Sequence, residues 1–282
     1  MRKLKLFFEL IKFEHTVFAL PFAYLGMLLA QKRIPSLRVF FWVTAAMVAA
    51  RTAGMTLNRL IDLPIDRKNP RTSQRPTVTG EFPARWAWVS VAAALAVFFV
   101  SAGQLNPLCF KLAFVAIVLL CGYHYVKRFS WLCHFALGLV LAAAPLGGWM
   151  AVTGNASWVP ALLSLAVLFW VAGFDIIYSL QDMDFDKAQG LHSIPVRFGA
   201  SRALAISDYC HWATTAFLVL FGLGAQLGIV YWVGVVVTTT LLRIEQRIIS
   251  DQDLSRIQTA FFTINGWIGI LLLIFVFLDI FK

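Results

Sequence analysis

Residues 157–186 read SWVPALLSLAVLFWVAGFDIIYSLQDMDFD, a long apolar run that ends in three closely spaced aspartates. Between 157 and 180 Asp175 is the one charged side chain. A helix that crosses a bilayer needs about 20 consecutive, mostly apolar residues. The run therefore predicts a transmembrane helix over 157–180 with a carboxylate-rich segment at one end.

Similar apolar runs occur along the whole chain. Hydrophobic residues make up 60% of the sequence and charged residues 13%, with a mean hydropathy of +0.77. An ordinary soluble domain is about 45–50% apolar and about 25% charged. The composition excludes a soluble globule, a disordered chain, a disulfide scaffold and a nucleic-acid-binding domain.

We predict an all-α integral membrane protein, one domain over 1–282, built as a bundle of nine transmembrane helices. Their expected ranges are 14–31, 37–60, 84–104, 107–126, 131–152, 157–180, 203–225, 228–248 and 258–280.

The distribution of positive charge predicts the orientation of the bundle. The chain carries 24 lysines and arginines against 14 aspartates and glutamates, a net charge of +10. Most of these cations fall in the N-terminal segment and in every second loop after it. The exceptions are Arg51, within a predicted span, and Lys32, Arg33, Arg38, Lys111 and Lys282, on the predicted outer side. Because loops rich in Lys and Arg stay in the cytoplasm, we predict a multi-pass protein of the cell inner membrane, N-terminus inside and C-terminus outside. Residues 1–12 are a candidate interfacial amphipathic helix.

The scarce carboxylates cluster in two segments, both at predicted cytoplasmic helix ends. In the first segment Asn58, Asp62 and Asp66 are spaced four residues apart. On a helix they form one stripe, with neighbouring side chains about 5–6 Å apart. Pro64 favours a break in this helix, which would place Asp66 in a following loop.

The second segment repeats the pattern at the end of the 157–180 span. Asp175, Tyr178, Asp182 and Asp186 share one helix face, whereas Asp184 points elsewhere. Hard cations such as Mg²⁺ prefer oxygen ligands, and Mg²⁺ commonly joins one or two carboxylates to substrate phosphates. Two stripes facing each other across a bundle predict a Mg²⁺–diphosphate site, with solvated helix ends as the alternative.

Cations suited to a diphosphate lie close to both stripes. Arginine forks match the geometry of phosphate and carboxylate oxygens. Topology signals for the cytoplasmic side are the alternative explanation of these charges. The candidate substrate-binding residues near the stripes are Lys68, Arg71, Arg75, Tyr123 and Lys127. Arg51 lies inside a predicted span, two turns before Asn58 and on its face, and is expected to pair with Asp175, with a substrate carboxylate or with backbone carbonyls.

The sequence resembles the UbiA superfamily of intramembrane aromatic prenyltransferases. Family motifs N-D-x-x-D-x-x-x-D and D-x-x-x-D match residues 58–66 and 182–186, and the similarity continues through 71–80, 123–128 and 175–199. Within the superfamily it is most similar to the 4-hydroxybenzoate polyprenyltransferases and to a branch on the futalosine route to menaquinone. One departure is Arg59, which stands where the family usually has aspartate and removes one carboxylate from the first motif.

The resemblance implies a nine-helix bundle whose central cavity opens near the cytoplasmic face. It implies Mg²⁺-dependent transfer of a polyprenyl group from its diphosphate to an aromatic acid in quinone biosynthesis, 4-hydroxybenzoate first and a larger menaquinone-route acceptor second. The implied partners are these two substrates and the lipid bilayer, without nucleic acid or a protein partner. The implied metal ligands are Asn58, Asp62, Asp66, Asp182 and Asp186. The implied catalytic residues are Asp175 at the acceptor phenol, Arg128 at its carboxylate, and Tyr178.

Other classes of function remain open at this stage. In a transporter or channel, Arg51 and Asp175 would line the pathway, although both acidic stripes lie at one membrane face rather than at its midplane. A membrane subunit could pack through the Gly224-x3-Gly228 motif, which leaves the stripes unexplained. A metal site on Cys121, His124, Cys133 and His134 competes with the reading of these cysteines as small buried hydrophobes. Glu14 and His15 are weaker candidate site residues.

Overall fold

The computed structural model describes residue 6 and residues 16–282, and this part of the chain contains helices and no strands. The expected interfacial helix over 1–12, and Glu14 and His15, lie outside the described residues. Within 16–282 nine long helices follow one another. They are α1 (Thr16–Gln31), α2 (Leu37–Ile61), α3 (Ala84–Leu105), α4 (Pro107–Val126), α5 (Cys133–Thr153), α6 (Trp158–Ser179), α7 (Ala200–Ala225), α8 (Ile229–Ile248) and α9 (Asn265–Ile280).

The helix bounds agree with the expected ranges to within a few residues. Seven stretches are long and apolar enough to cross a membrane, which supports a multi-pass membrane protein. The two long helices outside this set are α1, with 16 residues, and α8, whose last turns carry Arg243, Glu245 and Arg247. The count of nine spans therefore stays a prediction.

Short helices shape the loops at the end of the bundle that carries the acidic segments. They are Leu63–Asp66, Pro76–Thr79, Met183–Ala188 and Ile194–Phe198, with a 3₁₀ turn over Leu180–Asp182. α9 is preceded by a π-helical turn over Thr259–Ile264, which extends it to the expected range. π-helical turns inside helices are rare and are frequent near functional sites.

Local sequence signals explain where the helices begin and end. Asn106 accepts a hydrogen bond from the Cys109 backbone N–H (3.0 Å), and Pro107 occupies the first turn, where its missing N–H costs nothing. Gly154 ends α5 in the left-handed conformation, φ 68°, which glycine adopts without strain. The Asp279 carboxylate accepts bonds from the backbone N–H groups of Gly228, Val230 and Tyr231 and so caps α8.

α6 is the centre of the bundle and packs between α5 and α7. Glycines allow the closest approaches between helices, because an added Cβ would meet a neighbouring backbone. Gly148 on α5 faces the Ala23 backbone of α1, and Gly138 faces the Leu168 backbone of α6. Small residues at such crossings are typical of packing inside membranes. The rigid contact of α5 with α6 fixes the position of the α6 end that carries the second acidic segment.

An apolar cavity of about 370 Å³ lies between α1, the start of α2 and the C-terminal half of α9. Its lining includes Tyr24, Met27, Phe40 and Phe277. This cavity is at the opposite end of the bundle from the acidic segments. A central cavity next to those segments therefore stays a prediction.

Candidate active site

The first acidic motif follows the end of α2. α2 ends at Ile61, and Asp62 is its C-terminal cap, with its backbone N–H bonded to the Asn58 carbonyl. The predicted break at Pro64 is present, because proline begins a new turn rather than continuing α2. Asp66, expected in a loop, instead lies in the one-turn helix Leu63–Asp66 and is buried. Proline is favoured in the first turn of such a helix.

The second motif follows the end of α6 at the same end of the bundle. Asp182 ends the 3₁₀ turn, and Asp186 lies in the helix Met183–Ala188. Asp184 is exposed, as expected from its position on another face. Two segments that are more than a hundred residues apart in sequence are thereby brought to one place.

The loop after the first motif binds the second motif directly. Arg71 donates from Nε to Asp182 Oδ1 (2.9 Å) and from Nη2 to Asp182 Oδ2 (2.5 Å). Arg71 also donates from Nη1 to the Tyr178 hydroxyl (3.2 Å), and Asn69 Nδ2 donates to Asp182 Oδ1 (3.0 Å). A bidentate arginine–carboxylate contact is among the stronger polar interactions in proteins. This contact joins the two motifs into one site.

Each motif carboxylate has its own cation. The carboxylate side chains are 5–15% exposed and the cations 23–37%, so the cations cover the carboxylates on the solvent side. The pairs are Asp62 with Arg128 (3.4 Å), Asp66 with Arg75 (2.6 Å), Asp182 with Arg71 (2.5 Å) and Asp186 with Lys127 (3.5 Å).

Burial and these pairs act on the protonation of the site in opposite directions. Burial raises the pKa of Asp62 above its ordinary value, and Asp66 adds to this, although Lys127 and Arg128 oppose it. Burial lowers the pKa of Lys127, but the attraction of Asp186 and Asp62 outweighs it and leaves that pKa raised. Lys127 therefore stays charged at neutral pH.

The hydrogen-bond partners of Asn58 determine the orientation of its side-chain amide. Its Nδ2 donates to Asp62 Oδ2 (3.1 Å) and lies 3.3 Å from His124 Nδ1. Its Oδ1 accepts from Arg59 Nη1 (3.2 Å). Because a carboxylate only accepts and a guanidinium only donates, the amide cannot be flipped. The oxygen expected to bind a metal is thus bonded to Arg59.

Asp175 lies inside α6 and pairs with a histidine. Asp175 Oδ2 is 2.7 Å from His134 Nδ1 on α5, and the Ile194 backbone N–H donates to His134 Nε2 (3.3 Å). Of the three alternatives for Arg51, the pair with Asp175 is not formed, and the described partner of Asp175 is His134. The Asp175 side chain is 24% exposed, so part of its carboxylate stays accessible.

Arg51 has no counter-ion among the residues that the structure describes. It is half-buried on α2, and its Nε is buried without a hydrogen-bond partner. The charges of Arg51 and Asp175 both lie within electrostatic range of the Tyr123 hydroxyl on α4. A cation with a buried Nε that lacks a hydrogen-bond partner favours an anionic ligand.

The remaining candidates differ in their surroundings. The Tyr178 ring packs against Phe261 with centroids 4.2 Å apart, at the π-helical turn. Arg128 donates to the Ile61 carbonyl (2.7 Å) as well as pairing with Asp62, which differs from the expected role at an acceptor carboxylate. Lys68 is exposed and forms no ion pair with the described residues.

The carboxylate and amide oxygens of the two motifs are suited to a hard cation that is bound together with a phosphate. Within the described residues no three His, Cys, Asp or Glu side chains are close enough to hold one metal ion, which also removes the Cys–His set as a metal centre. Mg²⁺ commonly uses one or two carboxylates and completes its shell with phosphate and water. The paired Asp motifs fit that pattern.

Sequence reasoning missed two residues of this site. His134 was considered only within a cysteine–histidine metal site, because no local pattern links it to Asp175. Asn69 lies in the loop between the first motif and Arg71, and its contact with Asp182 depends on how that loop crosses the bundle.

Comparisons with known proteins agree with the fold and the motifs. The UbiA prenyltransferase family model matches residues 19–267. The 4-hydroxybenzoate octaprenyltransferase of Nitrosospira multiformis is 30% identical over 244 residues, which cover 86% of this chain and 83% of that protein.

Solved structures show the same architecture. The apo structure of a UbiA homolog from Aeropyrum pernix is 37% identical with a TM-score of 0.86, over 94% of this chain and 98% of that one. A UbiA homolog from Archaeoglobus fulgidus, bound to DMAPP and Mg²⁺, shares the fold at 24% identity and a TM-score of 0.75, over 97% of this chain and 98% of that one. Since the family model covers most of its length, this chain belongs to the UbiA prenyltransferase family.

Proposed function

We propose that this prenyltransferase transfers a polyprenyl group from polyprenyl diphosphate to the ring of 4-hydroxybenzoate, with Mg²⁺ as the metal, in quinone biosynthesis. The observation that carries the proposal is the joining of the two aspartate motifs by Arg71. Arg51, whose Nε has no hydrogen-bond partner among the described residues, supports it. The name of the Nitrosospira relative supports 4-hydroxybenzoate as the acceptor, and the ligands of the Archaeoglobus homolog support a prenyl diphosphate donor with Mg²⁺.

The donor half of the reaction uses the two motifs. Asp62, Asp66, Asp182 and Asp186 are the carboxylates that would hold Mg²⁺, with Asn58 as a neutral oxygen ligand once it leaves Arg59. The metal would supply positive charge to offset the charge on the diphosphate when the allylic C–O bond breaks. The cations that now cover these carboxylates can then turn to the phosphate oxygens. We assign Arg71 and Lys127 to this exchange, with Lys68 and Arg75 in support.

The prenyl cation needs a surface that excludes water. Tyr178 and Phe261 form an aromatic pair beside Arg71, and aromatic faces stabilise cations. We assign this pair to the allylic cation. The rest of the polyprenyl tail lies among apolar helices or in lipid.

The acceptor half uses Asp175 and Arg51. Asp175, held by His134, takes the proton of the acceptor hydroxyl. After the allylic C–O bond has broken, the ring carbon beside that oxygen forms a bond to the allylic cation, and the ring proton passes to the released diphosphate to restore aromaticity. Arg51 binds the acceptor carboxylate through its fork. Arg128 is the second candidate for that contact, and its bonds to Asp62 and the Ile61 carbonyl favour Arg51.

Turnover of two acceptors by purified protein tests this function. With a polyprenyl diphosphate and Mg²⁺, the protein should release diphosphate and prenylate 4-hydroxybenzoate beside the hydroxyl. A bidentate charged contact in a dry site contributes about 1.5–3 kcal/mol. Arg51→Leu should therefore lower kcat/KM for 4-hydroxybenzoate by roughly 10- to 100-fold and leave the uncharged phenol and the donor KM unchanged.

Arg128→Leu is the matched variant in this experiment. If Arg128→Leu lowers kcat/KM for 4-hydroxybenzoate but not for the uncharged phenol, and Arg51→Leu does not, the carboxylate contact belongs to Arg128. If wild type does not prenylate 4-hydroxybenzoate, the acceptor assignment is wrong, and a larger menaquinone-route acceptor becomes the next substrate to assay.

We also propose a single catalytic domain over 1–282 with nine spans. Its N-terminus and active-site loops would face the cytoplasm, and its C-terminus would lie outside the inner membrane. The positive charge of the loops around both motifs supports this orientation.

A further inference from the structure

Arg59 is a buried cation at the end of α2. It lies in the last turn of α2 and is 6% exposed. Its one hydrogen bond to a described residue runs from Nη1 to Asn58 Oδ1 (3.2 Å), and it forms no ion pair with the described part of the chain. A buried charge without a partner is costly. The four site cations that cover the motif carboxylates each have an aspartate, so Arg59 is different from them.

The guanidinium of Arg59 lies beside the first motif. It donates to the Asn58 amide oxygen, and the amide nitrogen of Asn58 donates to Asp62 Oδ2 (3.1 Å). Asp66 is already paired with Arg75 at 2.6 Å. The side chain therefore points into the site rather than toward lipid.

The neighbours of Arg59 leave it few other roles. Asn58 is a neutral amide, so its bond to Arg59 does not neutralise the charge. The same bond occupies the amide oxygen that the family resemblance gives to a metal. A ligand with several anionic oxygens would satisfy the guanidinium and free Asn58 together.

We propose that Arg59 binds the diphosphate of the prenyl donor directly, through a bidentate contact of its guanidinium with phosphate oxygens. The inference rests on the proposed donor half of the reaction and deepens it. Guanidinium forks match phosphate geometry, and an arginine keeps its charge at every physiological pH. Arg59 thus supplies a fixed positive charge at the position where the family motif has aspartate, and part of the diphosphate binding becomes independent of metal.

Binding of inorganic pyrophosphate tests the proposal without turnover. The full-length protein in detergent is titrated calorimetrically with pyrophosphate, once in EDTA and once with Mg²⁺. Arg59→Gln keeps an N–H donor for Asn58 Oδ1 but removes the charge. We expect this variant to bind pyrophosphate roughly 10- to 100-fold more weakly than wild type in EDTA, the scale of one charged hydrogen-bonded contact. Equal affinity would show that Arg59 only orients Asn58 and would overturn the proposal.

Two further variants complete the test. Arg67→Gln is the matched control, because Arg67 is an exposed arginine near the same motif, and its affinity should equal that of wild type. Arg59→Lys keeps the charge but cannot form a fork, so we expect binding several-fold weaker than wild type. Undiminished affinity in Arg59→Lys would exclude the bidentate contact, and this variant decides the question if Arg59→Gln does not fold.

Failure of this inference differs from failure of the proposed function. If wild type binds no pyrophosphate with Mg²⁺, the donor site itself is wrong. If wild type binds it and all Arg59 variants bind equally well, the donor site stands and the role of Arg59 is overturned.

Discussion

At the scale of single residues, the contacts of His134 determine where its proton lies. The Ile194 backbone N–H can only donate, so His134 Nε2 carries a lone pair and Nδ1 carries the hydrogen. Nδ1 then donates to Asp175 Oδ2 (2.7 Å). The histidine is a neutral donor that fixes the carboxylate, and one carboxylate oxygen remains for the acceptor.

We therefore predict that His134→Leu lowers kcat/KM for the acceptor by roughly 10- to 100-fold, because Asp175 loses a hydrogen bond to its charged form. The donor KM should not change. His134→Asn should recover most of the activity, since its amide nitrogen lies close to the position of Nδ1. Steady-state kinetics with each substrate varied in turn measure this.

The control for this prediction is His192→Asn, an exposed histidine on the same loop as Ile194. It should leave both kinetic constants unchanged. If His134→Asn is as impaired as His134→Leu, a positioning role through Nδ1 is excluded.

At the scale of helices, two adjacent glycines of α5 differ in what surrounds them. A Cβ on Gly148 would meet the Ala23 backbone of α1 at less than 3.0 Å, whereas a Cβ on Gly147 would meet nothing within 4 Å. Of these two glycines, only Gly148 is needed for the close contact between α1 and α5.

We predict that Gly148→Ala destabilises the protein by about 1–3 kcal/mol, because α1 and α5 must separate. Gly147→Ala should be neutral or stabilising, since alanine is the better helix former by about 1 kcal/mol. Thermal unfolding in one detergent compares the two variants. Equal melting temperatures would contradict the close crossing of these helices.

The sequence predicts elements of this bundle better than it predicts contacts. Apolar runs and caps such as Asn106 are local, and they predict the bounds of the long helices to within a few residues. The partners of Asp175 and Asp182 come from other helices and loops, so the spacing of residues does not reveal them. The π-helical turn before α9 also has no local signal, because its residues continue an ordinary apolar run.

At the scale of the whole molecule, the charge distribution predicts the orientation in the membrane. In a variant without the native cysteines, single cysteines at Gln74, Lys187 and Asn155, all exposed positions, report the side of each loop. A membrane-impermeant thiol reagent should label Asn155→Cys from outside intact cells, and Gln74→Cys and Lys187→Cys only after permeabilisation. Labelling of Gln74→Cys and Lys187→Cys from opposite sides would contradict a shared site.

The central claim is that the two aspartate motifs act together on one Mg²⁺–diphosphate. Because Arg71 of the first loop binds Asp182 of the second motif, loss of either motif should disable the same step. Residues that act as one unit give effects that do not add. Asp184→Asn is the matched control, since Asp184 is exposed on another face.

The most direct measurement is Mg²⁺-dependent prenyl transfer by Asp62→Asn, Asp182→Asn and the double variant, with folding checked by thermal unfolding. Each single variant should lose activity by roughly 100-fold or more, the scale of a lost electrostatic contact to the transition state. The turnover of the double variant should be no lower than that of the less active single variant. Asp184→Asn should keep wild-type turnover. EDTA should abolish wild-type turnover. Full turnover in the double variant would contradict the account.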